Sequence, residues 1–438
     1  MTQNTATAYR AAILDSLGDP AEIGLTDSIR YFEDGLMLVE NGKITALGDA
    51  SELLPQLPQG CDIKHYRDAL ITPGFIDTHI HYPQTGMIAS YGEQLLDWLE
   101  NYTFPAEQKF ADSQHAAEVA DIFLTALLRN GTTTALVFGT VHPQSVDAFF
   151  ACAEHHNLRM IAGKVRMDRK APEALTDTPR SSYEESKALI ERWHGKGRLH
   201  YAVTPRFAPT SSPEQLDMAG QLLKEYDGLY MHTHLSENKN EIEWVKELFP
   251  QQKGYLDVYD HHQLLGERSV FAHGVHLCDE ECARLSETGS AIAFCPTSNL
   301  FLGSGLYDEA GLKEAGVRRA IATDVGGGTN YSMLRTLDEG YKALQLRGQN
   351  IDPLRSFYWA SLGNARALQL EDRIGTLEPD TDADITVLDS RATGVMALRM
   401  ETVESLQEEL FVLQTLGDDR AVAETYIAGR PAKQSGGR

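Results

Sequence analysis

Eight short apolar runs, most of them separated by helix-like stretches, occupy the middle of this chain of 438 residues. Each run has the length and composition of a buried β-strand. Strands that alternate with helices predict a parallel sheet, and eight such units predict an α/β fold of the (β/α)₈ TIM-barrel type. The predicted strands are residues 71–81, 133–138, 159–165, 200–204, 229–234, 269–273, 291–295 and 319–324.

The two ends of the chain have a different pattern, of short strand-like runs without long helical stretches. Residues from about 11 to 72 contain short strand-like runs, and an Asn41-Gly42 turn between two of them predicts a hairpin. Residues 383–389 and 423–430 look similar. We therefore expect a small β-sandwich domain formed by both chain termini. The predicted domains are 1–72 (amino-terminal part of the sandwich), 73–370 (metal-dependent catalytic barrel) and 371–438 (carboxy-terminal part of the sandwich and a disordered tail at 434–438).

Charge and cysteine content restrict the partners and the compartment. The chain has 63 acidic against 39 basic residues and a formal net charge of −24, which repels phosphate backbones and anionic membranes. We expect a small-molecule partner, with no nucleic acid and no membrane. Five cysteines without a Cys-x-x-Cys pair favour a reducing compartment. Because the sequence also shows no leader and no membrane-spanning run, we expect a cytoplasmic protein.

Several predicted strands end in residues that bind metals. His79 and His81 lie two apart on one strand, so their side chains share a face. A closed barrel brings the carboxyl ends of its strands together. The predicted ligands of one catalytic metal are therefore His79, His81, His234 and Asp324. His232 shares a strand face with His234, so either could point inward, and we favour His234 because it lies nearer the loop. Zinc suits these nitrogen and oxygen ligands and retains a position for water.

Three of the strand-end groups are candidate catalytic residues. Glu237 follows His234 by three residues, and its carboxyl could shuttle protons to a substrate on the metal. His273 closes another apolar run and is assigned to orienting a hydroxide, which zinc can generate near neutral pH. Asp324 could both bind the metal and accept a proton from the water.

Further polar residues follow the first and fourth strands. Gln84 offers an amide that donates and accepts hydrogen bonds, and Arg206 precedes the aromatic Phe207. The helix-like stretch around Trp98 could be a lid or a part of the core. The predicted substrate contacts are His81, Gln84, Arg206, Phe207, His234, Glu237 and Asp324.

Blocks of sequence that carry these residues resemble the amidohydrolase superfamily of mononuclear metal hydrolases. Its family-wide motifs stand here at residues 73–81, 232–237, 272–274 and 323–324. Further blocks resemble the guanine deaminase family in particular. They are residues 81–84, 128–135, 204–207 and 295–300.

The resemblance implies one zinc ion per chain and hydrolytic deamination of guanine to xanthine and ammonia by a zinc-bound hydroxide. It implies that guanine is held near Gln84, Arg206 and Phe207, that Glu237 protonates ring atom N3, and that the protein forms a homodimer with a part in purine catabolism. The alternatives are another mononuclear deaminase acting on cytosine, an adenosine-type substrate or a triazine, and a non-catalytic barrel scaffold. Binuclear relatives need a lysine after the fourth strand, where this chain has Arg206 and Phe207.

Overall fold

A computed structural model describes residues 6–91 and 94–433. The predicted tail at 434–438 lies outside the described residues. The strands, in chain order, are β1 Thr7–Ser16, β2 Ile29–Glu40, β3 Lys43–Asp49, β4 Asp62–Pro73, β5 Phe75–His81, β6 Thr132–Phe138, β7 Arg159–Gly163, β8 Val165–Arg166, β9 His200–Pro205, β10 Tyr230–Leu235, β11 Ser269–His273, β12 Ala291–Phe294, β13 Arg318–Ile321, β14 Ile385–Leu388, β15 Val422–Ile427 and β16 Arg430–Pro431.

Helices connect most of these strands. The α-helices are α1 Pro20–Ile23, α2 Ala50–Leu53, α3 Leu95–Trp98, α4 Phe104–Glu107, α5 Ser113–Arg129, α6 Pro143–His155, α7 Pro179–Trp193, α8 Pro213–Glu225, α9 Lys239–Leu248, α10 Tyr255–His261, α11 Asp279–Thr288, α12 Pro296–Phe301, α13 Glu309–Glu314, α14 Met333–Leu346, α15 Pro353–Tyr358, α16 Asn364–Ala367, α17 Gly394–Met400 and α18 Leu406–Leu416. Short 3₁₀ or π turns are Leu54–Gln56, Tyr82–Met87, Leu99–Thr103, Gln108–Ala111, Glu173–Leu175, Ala208–Thr210 and Trp359–Gly363.

The barrel sheet confirms the predicted fold class. Its strands are parallel and follow the order β13-β12-β11-β10-β9-β7-β6-β5, with β8 paired to β9. The two ends of this path meet beyond β13, where the Asp324 N–H donates to the carbonyl of His79 (3.0 Å) and the His81 N–H donates to the carbonyl of Val325 (2.7 Å). The barrel is therefore nearly closed, and the carboxyl ends of β5, β10, β11 and β13 face one another.

The chain termini come together as expected, and their strands form one second sheet where a small β-sandwich is predicted. Its seven strands follow the order β16-β15-β14-β4-β1-β2-β3, and the Asn41-Gly42 turn joins the antiparallel pair β2 and β3 as predicted. The run at 71–81 is two strands, because β4 ends in this sheet at Pro73 and β5 enters the barrel at Phe75. Gly74 stands between them, where a Cβ atom would lie 2.3 Å from Thr133 Oγ1. The domain limits themselves remain a prediction.

Two helices in the carboxy-terminal region were not predicted, because the sequence there shows strand-like runs. α17 and α18 lie between β14 and β15, and α18 packs on the barrel helices α14 and α15. No helix within the described ranges is long and apolar enough to cross a membrane.

Candidate metal centre and pocket

Four side chains bring their ligand atoms together at the carboxyl ends of the barrel strands. His79 Nε2 lies 3.2 Å from His81 Nε2 and 3.1 Å from Asp324 Oδ1. His81 Nε2 lies 3.3 Å from Asp324 Oδ1 and 3.3 Å from His234 Nε2. Zinc with ligands at 2.0–2.2 Å in a tetrahedron has ligand-to-ligand distances of about 3.3–3.6 Å. The four distances among these ligand atoms are close to what one metal ion requires.

A hydrogen bond at the far side of the His234 imidazole orients its lone pair. His234 Nδ1 lies 2.6 Å from the carbonyl oxygen of Arg206. A carbonyl only accepts, so the ring proton is on Nδ1 and Nε2 presents its lone pair to the other three ligand atoms. His79 Nδ1 lies 2.7 Å from His232 Nε2. A cation, either a proton or a metal ion, must lie between lone pairs and a carboxylate at such distances, so the donor set fits a bound metal.

His232 and His234 both point into the barrel. His234 reaches the cluster of ligand atoms, as we expected, whereas His232 lies one layer deeper and contacts His79. His232 therefore supports a candidate ligand and is not one itself.

The charge states of the cluster also suit metal binding. Burial lowers the pKa of His81 to about 3 and holds the pKa of His234 well below its ordinary value. For Asp324 burial works against the charged form, but the neighbouring His79 and His81 outweigh it and keep the pKa well below the usual range. Neutral imidazoles and an ionised carboxylate are the forms that coordinate a metal.

Glu237 and His273 lie beside the cluster. Burial, assisted by the charge of Asp324, raises the pKa of Glu237 to about 8. Its Oε1 accepts a hydrogen bond from Ser304 Oγ (2.9 Å), and its Oε2 lies 3.3 Å from His273 Nε2. His273 Nε2 is also 3.8 Å from Asp324 Oδ2, and its Nδ1 is 2.9 Å from Asn299 Oδ1. The His273 imidazole therefore lies between two carboxyl groups of opposite tendency. The raised pKa of Glu237 favours its protonated form, and the lowered pKa of Asp324 favours its ionised form.

Two of these residues have unusual backbone conformations. His273 and Asp324 have φ of 75° and 51°, in the left-handed region that residues with a Cβ rarely adopt. Such strain concentrates at functional sites, where the surrounding structure holds it in place.

A small pocket opens onto the cluster. An apolar lining with a few convergent polar groups is typical of small-molecule sites. Apolar side chains cover one part of the pocket, and polar groups from the strand ends cover the other. The apolar part includes Leu95, Trp98, Leu99, Phe207 and Leu302, and the polar part includes His81, Gln84, Arg206, His234, Glu237, Glu241, His273 and Asp324. Trp98 ends helix α3, is buried and also lines the pocket. It is therefore part of the helical core and covers one side of the pocket.

Gln84 and Arg206 meet at a carboxylate that sequence reasoning did not identify. Arg206 Nη1 donates to Glu107 Oε1 (2.9 Å) and Oε2 (2.8 Å), and Gln84 Nε2 donates to Glu107 Oε1 (3.3 Å). Phe207 is buried beside them, with its ring edge-on to Trp244 at a centroid distance of 6.1 Å. Glu107 follows a helix-like stretch far from any strand end, so no local pattern singles it out.

Ser304 was missed for a related reason. It lies in a loop more than sixty residues after Glu237, and only the closed barrel brings the two together. Asn299 lies in the block 295–300, which resembles guanine deaminases. That resemblance is a signal in the sequence, but it assigns no role to this residue.

Comparison with known proteins agrees with this geometry. The Amidohydrolase family model matches residues 70–432. The chain belongs to the amidohydrolase family. A curated guanine deaminase of Escherichia coli strain K12 is 52% identical over 431 residues, which cover 98% of each chain.

Solved structures place this amidohydrolase among the same relatives. The E. coli guanine deaminase structure superposes with a TM-score of 0.96 at 52% identity, over 97% of this chain and 99% of that one. A guanine deaminase from Clostridium acetobutylicum, solved with guanine bound in its active site, superposes with a TM-score of 0.87 at 27% identity, over 98% of this chain and 100% of that one. The predicted resemblance to amidohydrolases and to guanine deaminases is confirmed.

Proposed function

We propose that this amidohydrolase converts guanine and water to xanthine and ammonia. One observation carries the proposal: a polar pair suited to a purine edge, Gln84 and Arg206, lines the same pocket as three of the four candidate ligands, His81, His234 and Asp324. The names of the relatives support it, since the E. coli protein that shares 52% of its residues is a guanine deaminase.

His79, His81, His234 and Asp324 would hold one zinc ion per chain. The nitrogen and oxygen donors and their near-tetrahedral spacing support zinc. When bound, the metal would lower the pKa of a water molecule so that a nucleophile is available near neutral pH. The protein contributes the lone pairs through hydrogen bonds such as the one from His234 to the Arg206 carbonyl.

We assign Asp324 and His273 to the attacking water. Asp324 is ionised, and its Oδ2 lies 3.8 Å from His273 Nε2, so the two side chains can share one water between them. His273 holds the orientation of the water, and Asp324 accepts its proton as the oxygen adds to C2 of guanine.

We assign Glu237 to the substrate side of the reaction. A carboxyl with a pKa of about 8 carries a proton at neutral pH and can donate it to ring atom N3. The C2 carbon then bears the new hydroxyl group and the exocyclic amino group. The proton taken up by Asp324 passes to the amino nitrogen, the C2–N bond breaks and ammonia leaves, while the hydroxyl proton returns to Glu237 as the C2=O bond of xanthine forms. Ser304 keeps one oxygen of Glu237 engaged, so the other is directed toward His273 and the reacting atoms.

Recognition of guanine would use the polar end of the pocket. Guanine presents acceptors at O6 and N7 and a donor at N1. Arg206 offers fixed donors, Gln84 can donate to O6 and accept from N1–H, and Phe207 can pack against the ring. Adenine carries an amino group in place of O6, so donors would face donors. A site built on hydrogen bonds rejects such an analogue by several powers of ten.

Other substrates remain the main alternative. Structures of an adenosine deaminase and of triazine hydrolases superpose well, but at 22% and 20% identity they show only the shared fold. A scaffold without activity is disfavoured because the four predicted ligands contact one another at the strand ends.

An ammonia-release screen of the purified protein tests the proposal. Guanine is expected to be hydrolysed fastest among guanine, adenine, adenosine, cytosine and a triazine, because only guanine matches both Arg206 and Gln84. Faster release from any of the others would contradict the substrate assignment.

We also propose a homodimer, which light scattering at micromolar concentration should report as twice the chain mass of 48.5 kDa. The proposal rests on the resemblance to guanine deaminases and on the prevalence of twofold dimers. A monomeric mass at that concentration would contradict it.

A cytoplasmic location and a part in purine catabolism complete the proposal. All five cysteines are free, which is typical of a reducing compartment. Removal of the amino group from guanine is a step that degrades a purine.

A further inference from the structure

Glu107 is a carboxylate without an assigned role in the reaction. It ends helix α4, in the segment 95–111 that also supplies Leu95, Trp98 and Leu99 to the pocket. Its side chain has no exposure to solvent. A carboxylate in such a place costs much free energy unless it is paired and hydrogen-bonded.

The partner of Glu107 is the guanidinium of Arg206. A single nitrogen, Nη1, contacts both carboxylate oxygens at 2.9 and 2.8 Å, and the Arg206 side chain is only 3% exposed. The guanidinium also lies over the Phe104 ring at 5.6 Å. No hydrogen bond from Nε or Nη2 of Arg206 is found among the described residues. These two nitrogens are therefore the donors that remain for a ligand.

Glu107 also determines which way the Gln84 amide faces. Gln84 Nε2 donates to Glu107 Oε1 at 3.3 Å, while Gln84 Oε1 accepts from the Gly326 N–H at 3.1 Å. Because a carboxylate only accepts and an N–H only donates, the reversed amide would lose both bonds. One N–H and one lone pair of Gln84 remain in defined positions.

We propose that Glu107 is a positioning residue that sets specificity for the 6-oxo edge of the purine by holding Arg206 and Gln84 in one arrangement. The inference rests on the proposed function. Glu107 does not touch substrate. It presents the free donors of Arg206 and the free donor and acceptor of Gln84 as one rigid edge, complementary to O6, N7 and N1–H of guanine. Preorganised hydrogen bonds of this kind increase affinity by removing the ordering cost from the binding step.

The test compares guanine with 2-aminopurine, which has the same C2 amino group but lacks O6 and the N1 proton. Glu107→Gln keeps the size of the side chain, removes its charge and turns an amide donor toward Arg206 or Gln84. We expect KM for guanine to rise about 10- to 100-fold, the scale of a lost hydrogen bond to a charged group. We expect kcat to change little, since binding is affected and chemistry is not. The preference for guanine over 2-aminopurine, measured by KM or inhibition constant, should fall by a similar factor.

A matched control separates positioning from general damage. Glu309 is a buried carboxylate, 5% exposed, that pairs with Arg355 (2.5 Å) and Arg319 (3.1 Å) and does not line the pocket. Glu309→Gln should leave KM for guanine and the preference over 2-aminopurine unchanged. The same changes in this control would overturn the inference, as would wild-type preference in folded Glu107→Gln protein, or a loss of kcat or of zinc without a change in KM.

Glu107→Asp is a second variant for the case in which the neutral side chain prevents folding. It keeps the charge that compensates Arg206 and withdraws the carboxylate by one methylene. A smaller rise in KM for guanine is expected, with a correspondingly smaller loss of preference over 2-aminopurine, and unaltered preference would refute the role. Failure of the proposed function is distinguishable, because wild-type protein would then release no ammonia from guanine in the first place.

Discussion

Asp324→Ala and His81→Ala are each expected to remove bound zinc and to abolish ammonia release from guanine. Each substitution deletes one of four ligand atoms that lie 3.1–3.3 Å apart. Three ligands bind the metal less tightly, and in Asp324→Ala the only anionic ligand and the proposed base are also lost. Metal analysis of the purified variants by mass spectrometry, beside an ammonia assay, measures both effects.

His200→Ala is the matched control. His200 begins strand β9, at the opposite end of the barrel from the ligand cluster. This variant should keep both zinc and activity. Full activity in exhaustively chelated wild-type protein, or in Asp324→Ala without metal, would show that the reaction does not use this centre.

Glu237→Gln is expected to retain zinc and to lose roughly 10²-fold or more in kcat, the scale of general acid–base catalysis. The amide has nearly the same shape and can still accept from Ser304. It cannot deliver a proton to N3 and take it up again. Burial raises the pKa of Glu237 to about 8. This shift serves the reaction only if the side chain is a carboxyl that can bind and release a proton.

Metal content distinguishes this role from a structural one. Glu237 contributes no atom to the four-ligand cluster, so zinc should be bound in normal amount in the variant. Loss of zinc in Glu237→Gln would mean that the residue supports the metal. Near-normal kcat would mean that another group carries the proton.

Much of the fold follows from local sequence. Buried strands such as 133–138 and 269–273 read as short apolar runs, and the helices between them have their own periodicity and caps. β6 and β11 begin and end within a residue of those predictions. These patterns are local because a side chain's burial on a strand or helix depends on its neighbours two to four positions away. The helices α17 and α18 were not predicted, because the strand-like runs on either side of them indicated only β-structure in that region.

The candidate ligands were also readable from the sequence, since each stands at the end of an apolar run. His79, His81, His234 and Asp324 converge as expected, because a barrel places every strand's carboxyl end on one face. The sequence favoured His234 over His232 only by its position nearer the loop, and the structure supplies the physical reason. Both point inward, and only the depth of each layer in the closed barrel places one at the cluster and the other behind His79.

The sequence by itself determined the barrel, the second sheet from both termini and the set of metal-binding residue types. Only the tertiary structure decided which groups support them. Glu107 and Asn299 stand in short helices and Ser304 in a loop, with no periodic pattern, yet they contact Arg206, His273 and Glu237 respectively. Such contacts join residues that are 26 to 99 positions apart, so they exist only after the chain has closed into the barrel.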